Sequence, residues 1–496
     1  MRIEKDYLGE VHLDDDVYYG ISTFRALDNF NVSDLKVNTK IIDELINVKK
    51  QAAIANKKLG FLEFDIADAI ISACNKIING EYRENFVVNR YQGGAGTSTN
   101  MNANEVIANV ALEILGKDKG EYQIIHPINH VNLHQSTNDV FPTSVKIAAI
   151  KEIRNLADAY ADLQKTFQDK ETEYGKVLKL GRTQFMDAVP MLAGQMFGAY
   201  AETFSRDRWR IYKVEERLRT INIGGTAIGT GLNAPLKYTF MMTSLLQSSS
   251  NIGVSRAESL IDNTQNLDSF NEVSGLLKVG ASSLIKVCND LRFLASGPSG
   301  GIGEIILKDN QVGSSIMPGK VNPVILEMTI SNAFKVVAND SLINSLVSNG
   351  HLELNAFIPM IAETLLESLE LLTKTINKFN HKCAKHIKVD KDKCLENLEK
   401  SPSLITPLIG IIGYDKASEI VKRSLDEGKT IRNILVEEKL FTKEEIDELL
   451  EPLNITRPGI IKGVKWWVWI KLRVQIERIL DYLEEEMLGN QVLLMH

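Results

Sequence analysis

Gly313-Ser-Ser-Ile-Met-Pro-Gly-Lys-Val-Asn-Pro323 sets a pair of hydroxyls, a lysine and an asparagine between glycine hinges. Upstream stand Gly297, Gly300, Gly301 and Gly303, a composition suited to a loop that moves. Such a loop can close over a bound ligand, bring Ser314 onto it and exclude water.

Outward from this loop the chain reads as helix. No proline lies between Pro142 and Pro190, between Pro235 and Pro298, or between Pro323 and Pro359. Each stretch has room for a helix of roughly 30 residues or more, well beyond the usual mean of about 11–12. Ile150, Ile153, Leu156, Tyr160, Leu163 and Phe167 step by three and four, and Leu365, Leu369, Leu372 and Ile376 repeat the pattern. Apolar side chains at that spacing make a stripe along one helix face. Stripes this long predict helices packed as a bundle. A long coiled coil is the alternative, but strict heptads do not persist and breakers recur.

Four blocks follow along the chain. Residues 1–138 mix short helices with Gly-rich turns, and 139–395 carry the long helices. Residues 396–460 return to shorter elements, including Thr442-Lys-Glu-Glu-Ile446, which reads as a capped amphipathic helix. Residues 461–496 form an atypical helical tail in which Trp466, Trp467 and Trp469 precede Leu472, Ile476, Ile479 and Leu483. That pattern predicts a helix docked on the body or on a neighbouring subunit. A membrane-surface helix is the rival reading, which Glu484-Glu-Glu486 does not suit.

Composition narrows the class. The 496 residues are 44% apolar and 24% charged, enough for one large core or two to three sub-domains. A scattered acidic excess, net charge −7, argues against a nucleic-acid surface. Cys74, Cys288, Cys383 and Cys394 show no paired spacing, which favours reduced thiols over disulfides or zinc. Met1-Arg-Ile-Glu-Lys-Asp6 has no apolar core of a signal peptide, and no apolar run approaches membrane-spanning length. The expectation is a cytoplasmic protein without a membrane partner.

Three further segments cluster Thr, Ser, Asn and Gly. Gly93-Gly-Ala-Gly-Thr-Ser-Thr-Asn100 leads into an expected helix, and its hydroxyls, amides and backbone N–H groups can bind a carboxylate without a metal. An ordinary helix cap is the plain alternative, and no Gly-Lys-Ser/Thr follows to make a phosphate loop. In Gln135-Ser-Thr-Asn-Asp139 the run Ser136, Thr137, Asn138 offers three donors where capping needs one. His126, His130 and His134 are spaced four apart, but Pro127 spoils the helix that metal ligation would need. In Gly181-Arg-Thr-Gln-Phe-Met-Asp-Ala188, Thr183 and Gln184 supply neutral hydrogen bonds, while Arg182 reads as an ion-pair partner. Gly224-Gly-Thr-Ala-Ile-Gly-Thr-Gly231 is superficially a dinucleotide loop, with no strand expected before it.

At these segments the sequence resembles the fumarase/aspartase superfamily of lyases, over roughly residues 2–460. The resemblance implies a mainly α, fumarase/aspartase-like fold. A long central helical bundle, the twenty-helix core of a homotetramer, would carry smaller N- and C-terminal domains. Each active site would take loops from three subunits, with no organic cofactor and no metal site. Some members respond to divalent cations, and no ligand cluster here corresponds to that.

Class II fumarases of the superfamily add water, and aspartate ammonia-lyases remove ammonia. Fumarases resemble GRTHxxDA, where this chain has Gln184, and usually carry QSSND, where it has Thr137. Tyr91-Gln-Gly-Gly-Ala-Gly-Thr-Ser98 is also closer to aspartases, whereas Gly300-Gly-Ile-Gly-Glu304 leans toward fumarases. The balance favours L-aspartate and fumarate as the small-molecule partners. A fumarase, or a structural homologue without catalysis, is the alternative; the latter should show damaged loops. By resemblance, Ser314 is the general base. Thr97, Ser136, Thr137 and Ser315 hold the β-carboxylate, Lys320, Asn322 and Thr183 the α-carboxylate, and Asn138 with Thr97 the amino group. Gln184 completes the binding set.

Overall fold

The computed structural model describes residues 1–459 and 461. The tail expected over 461–496, with its three tryptophans, lies outside the described residues except for Ile461.

The chain opens with a hairpin, β1 (Arg2–Asp6) and β2 (Gly9–Leu13), then helices α1 (Ile21–Asn29), α2 (Thr39–Lys58), α3 (Phe64–Ile78) and α4 (Thr97–Ile114). Helix α5 (Thr137–Glu173) is followed by a second hairpin, β3 (Leu178–Thr183) and β4 (Met186–Leu192), and by α6 (Ala193–Leu218). Then come α7 (Leu236–Ser250), α8 (Leu260–Gln265), α9 (Asp268–Leu294), α10 (Val324–Val347), α11 (Ile358–Lys382) and α12 (Lys391–Lys400), with short helices beyond. Among the described residues sheet is confined to two-stranded pairs, so the architecture is mainly α.

The chain folds as two compact units. The first comprises Met1–Leu163, Thr203–Cys288 and Val324–Asn380. The second comprises Gln164–Glu202, Asn289–Pro323 and the described part of His381–His496. In the first, Ile150, Ile153, Leu156, Tyr160 and Leu163 of α5 are fully buried, as are Leu365, Leu369 and Ile376 of α11. The expected stripes are therefore the core-facing sides of their helices. The single helix allowed between Pro235 and Pro298 is instead three. After α7, Asn251 adopts a left-handed conformation (φ 54°) that ends the helix, and Ser259 caps α8.

In the second unit, Leu398, Leu404, Ile405, Leu408, Ile420, Ile434, Leu435 and Ile446 form a core that also takes in Leu180 of β3. Thr442 and Glu445 make the reciprocal capping box the sequence signals: Thr442 N–H donates to Glu445 Oε2 at 2.9 Å, and Glu445 N–H to Thr442 Oγ1 at 3.2 Å. Among the described residues, no helix is long and apolar enough to cross a membrane.

Candidate active site

In the first unit, two long helices begin at candidate ligands. Thr97 opens α4 and Thr137 opens α5, so unpaired backbone N–H groups and the positive end of each helix dipole accompany both hydroxyls. Gly96 makes the turn into α4 possible. Its φ is +91°, and a Cβ there would come within 2.8 Å of the Phe141 ring.

Asn100, one turn into α4, ties the two helix starts together by donating from Nδ2 to Thr137 Oγ1 at 3.0 Å. A hydroxyl that accepts such a bond keeps its own O–H to donate. Ser136 is arranged alike: its Oγ accepts the Asn138 N–H at 3.2 Å. Its backbone N–H donates to Asp139 Oδ1 at 3.0 Å, and Thr226 N–H donates to Asp139 Oδ2 at 3.1 Å. Asp139 thus fastens the Ser136–Asn138 segment to the Gly224–Gly231 loop. Burial pushes its carboxyl up to about 7, against the pull of those N–H groups and of Lys49.

Pro142 explains another tether. Within α5 it has no N–H to bond the carbonyl of Asn138, four residues earlier. Asn222, fully buried, donates to that carbonyl from Nδ2 at 2.9 Å. Asn138 Nδ2 in turn donates to Ala227 O at 2.6 Å. The Gly224–Gly231 loop therefore serves as a clamp on Asn138. Against the expectation of no strand before it, a two-residue strand, Thr220–Ile221, does precede it, paired with Ser255–Arg256. The helix start that a dinucleotide loop needs is displaced to Leu236, after Pro235.

Each of the three histidines has its Nδ1 in a hydrogen bond. Nδ1 of His126 accepts the Ile128 N–H at 2.9 Å, and Nδ1 of His130 accepts the His126 N–H at 2.9 Å, within the turn Pro127–Val131. His134 Nδ1 lies 2.8 Å from Asn56 Oδ1. Among the described residues no three His, Cys, Asp or Glu side chains converge as metal ligands would.

In the second unit, Thr183 closes the β3–β4 ladder opposite Met186, and Gln184 and Phe185 form the two-residue turn between them. Both turn residues have positive φ, 54° and 63°, the geometry of a tight hairpin that glycine or asparagine normally supplies. The Phe185 ring meets Phe293 edge-on at 4.9 Å, a contact that offsets part of the strain. Thr183 and Gln184 are exposed at the tip. Arg182 is an ion-pair partner as expected, bonded to buried Glu304.

The Gly313–Pro323 segment is closed at its neck. Gly313 N–H donates to Lys320 O at 2.8 Å, and Asn322 Nδ2 donates to Gly313 O at 2.9 Å. A Cβ at Gly313 would lie 2.8 Å from Asn322 N, so only glycine fits the clasp. Within the loop, Ser314 Oγ accepts two backbone N–H groups, from Ile316 at 3.2 Å and Met317 at 2.9 Å. Ser315 and Lys320 are exposed.

The expected residues therefore fall into two sets: Thr97, Ser136, Thr137 and Asn138 in the first unit, and Thr183, Gln184, Ser314, Ser315, Lys320 and Asn322 in the second. Sequence reasoning missed the supports Lys49, Asn100, Asn132, Asp139 and Asn222. One signal was available for Lys49: a charge set among Leu45, Val48 and Ala52, at helical spacing.

Helix starts carrying hydroxyls, and a glycine-clasped loop whose two N–H groups meet at a serine oxygen, are features that suit an anionic ligand. Residues 9–338 match the lyase family and residues 404–457 match the family described as fumarase C C-terminus. The chain belongs to the fumarase/aspartase superfamily of lyases. It is 42% identical to the aspartate ammonia-lyase of Bacillus subtilis (strain 168), covering 92% of this chain and 97% of that one. It is 42% identical to the aspartate ammonia-lyase of Helicobacter pylori (strain ATCC 700392 / 26695), over 94% of this chain and all of the relative. Among solved structures, the fumarate lyase:delta crystallin of Brucella melitensis, bound to cobalt, superposes with a TM-score of 0.89 at 42% identity, covering 92% of this chain and 100% of that one.

Proposed function

We propose that the chain is a carbon–nitrogen lyase that converts L-aspartate to fumarate and ammonia. The observation that carries this reading is near-full-length similarity, 40–43% identity, to aspartate ammonia-lyases from several bacteria. The hard step is removal of a Cβ proton beside a carboxylate. The electron pair left on Cβ delocalises into that carboxylate, giving an aci-form with two negative charges, and is then used to form the C=C bond as the C–N bond breaks. Preorganised donors are what make such an intermediate accessible.

Ser314 is the general base in this scheme. A hydroxyl is too weakly acidic to ionise in water, and the two N–H groups directed at its Oγ support the alkoxide. Thr97, Ser136, Thr137 and Ser315 hold the β-carboxylate, the first three at the helix starts where negative charge is favoured. Lys320, Asn322 and Thr183 hold the α-carboxylate, with Gln184 beside them. Asn138, which donates one of its two Nδ2 protons to Ala227 O, offers Oδ1 to the departing ammonium group, with Thr97.

We also propose a cytoplasmic homotetramer whose active sites combine loops from three copies of the chain. Large apolar side chains lie exposed on the long helices, among them Trp209 on α6, Phe240 on α7, and Phe334 and Leu342 on α10. Surfaces of that kind call for a partner.

The match to the fumarase C C-terminus keeps hydration of fumarate as the second reading. It would need a proton carrier in the Gly181–Ala188 segment, and the Gln184 amide does not titrate. Following fumarate absorbance with aspartate, and separately with malate, decides between the two. The ammonia-lyase reading expects fumarate from aspartate alone and fumarate consumption only with ammonium. Consumption in ammonium-free buffer would overturn it.

A further inference from the structure

A lysine with no exposed surface lies beneath the Ser136–Asn138 segment. Lys49, on α2, is 0% exposed, and its ammonium makes its hydrogen bonds to side-chain amides: Asn132 Oδ1 at 2.7 Å and Gln135 Oε1 at 2.9 Å. Burying a charge against neutral acceptors is expensive, so a packing role alone would favour an apolar side chain.

Its partners lead to the candidate ligands. Asn132 Oδ1 also takes Nδ2 of Asn100 and of Asn104, each at 3.3 Å, and Asn132 Nδ2 returns to Gln135 O at 3.2 Å. Asn100 passes the connection to Thr137 Oγ1. Gln135 directly precedes Ser136, and its Nε2 is fixed on Val131 O and Leu133 O. An ammonium that donates to both amide oxygens fixes which way each amide faces. The Asn100 amide then donates to the Thr137 hydroxyl, whose own proton is left for a ligand. Among the described residues, Lys49 is the one cation hydrogen-bonded to these amides. Burial pushes its ammonium down to about 7, while the Asp139 carboxylate works the other way.

We propose that Lys49 is a positioning residue for the lyase reaction, holding the Thr137 and Ser136 hydroxyls, through Asn132 and Gln135, in the orientation that receives the substrate carboxylate. The role rests on the ammonia-lyase reading. It acts at the intermediate, where the carboxylate charge is greatest, and so bears on kcat more than on KM.

The test compares the full-length wild type with Lys49→Met, Lys49→Gln and Lys49→Arg. It measures steady-state deamination of aspartate and, separately, hydrogen exchange over residues 132–140. Whichever neutral variant folds is expected to lose roughly 10–100-fold in kcat, the scale of a misplacement near 1 Å, with KM changed only a few-fold. Exchange at 132–140 should quicken in the same variant. Lys49→Arg keeps the charge but presents a planar fork, and should recover much of both losses. A folded neutral variant with wild-type kcat and exchange overturns the proposal, as does an arginine variant no better than the neutral ones. Failure of all three to fold also overturns it, assigning Lys49 to stability alone. A wild type inert toward aspartate removes the ammonia-lyase reading, while the exchange data still judge the positioning.

Discussion

Arg182 and Glu304 form an ion pair, Nη2 to Oε1 2.7 Å, in which the carboxylate side chain is fully buried. Lys179 Nζ approaches the other oxygen, Oε2, at 3.3 Å, and Asn397 Nδ2 donates to Oε1 at 3.0 Å. One carboxylate thereby joins β3, which leads to Thr183 and Gln184, to the glycine-rich segment that leads to Ser314.

Removing that carboxylate strands the buried Lys179 and the partly buried Arg182. Glu304→Gln is expected to destabilise the protein by about 3–5 kcal/mol, read as a lowered melting temperature. Burial opposes ionisation of Glu304, but the Arg182 hydrogen bond and the Lys179 charge outweigh it, so its carboxyl lies below the usual glutamate range. Its folded pKa is the lower one, so its stabilisation is complete above the ordinary glutamate value and fades as pH falls through the folded value. Wild type should therefore lose melting temperature more steeply in acid than the variant. Parallel curves would count against the ion pair as a source of stability.

Ser314→Ala should leave KM for aspartate within a few-fold and lower kcat by roughly 10²–10⁴, the range of a general base. Near-normal turnover would take Ser314 out of that role.

Gln184 sits at a φ of 54° that glycine adopts without strain. Gln184→Gly should hold or raise the melting temperature while kcat/KM falls roughly tenfold, the worth of one neutral hydrogen bond. A fall in both would mean that the side chain serves the hairpin rather than the substrate.

All four cysteines are buried thiols. Burial pushes the Cys74, Cys383 and Cys394 thiols up to about 12. The native protein should resist alkylation at neutral pH and take up four labels once unfolded in urea, counted by mass spectrometry. Rapid labelling of the folded chain at any of these three would show an access route to that thiol.

Much of the helical core was legible because period and proline placement report directly on burial: every residue of the Ile150–Phe167 stripe is buried. The capping box at Thr442 was legible for the same reason, being local. The two-residue turn at Gln184 was not, since neither Gln184 nor Phe185 belongs to the residue types that signal a positive φ. Its geometry is imposed by the strands on either side. The support web was hidden too. Asn100 to Thr137 and Asn222 to Asn138 span 37 and 84 residues, and single-sequence periodicity carries no information about such pairings. The clasp from Asn322 to Gly313 lies inside the quoted loop, yet the loop's composition alone did not reveal that the asparagine amide is used on the backbone.

The interleaving of the two units has a consequence for biosynthesis. Each is assembled from three separated segments, and the first is incomplete until Asn380 has been made. At about 5–20 residues per second, the apolar residues of the first unit wait on the order of tens of seconds between synthesis of Leu163 and completion of the unit at Asn380. The nascent chain is therefore a natural client for holding chaperones, and its yield should depend on them more than its final stability would suggest.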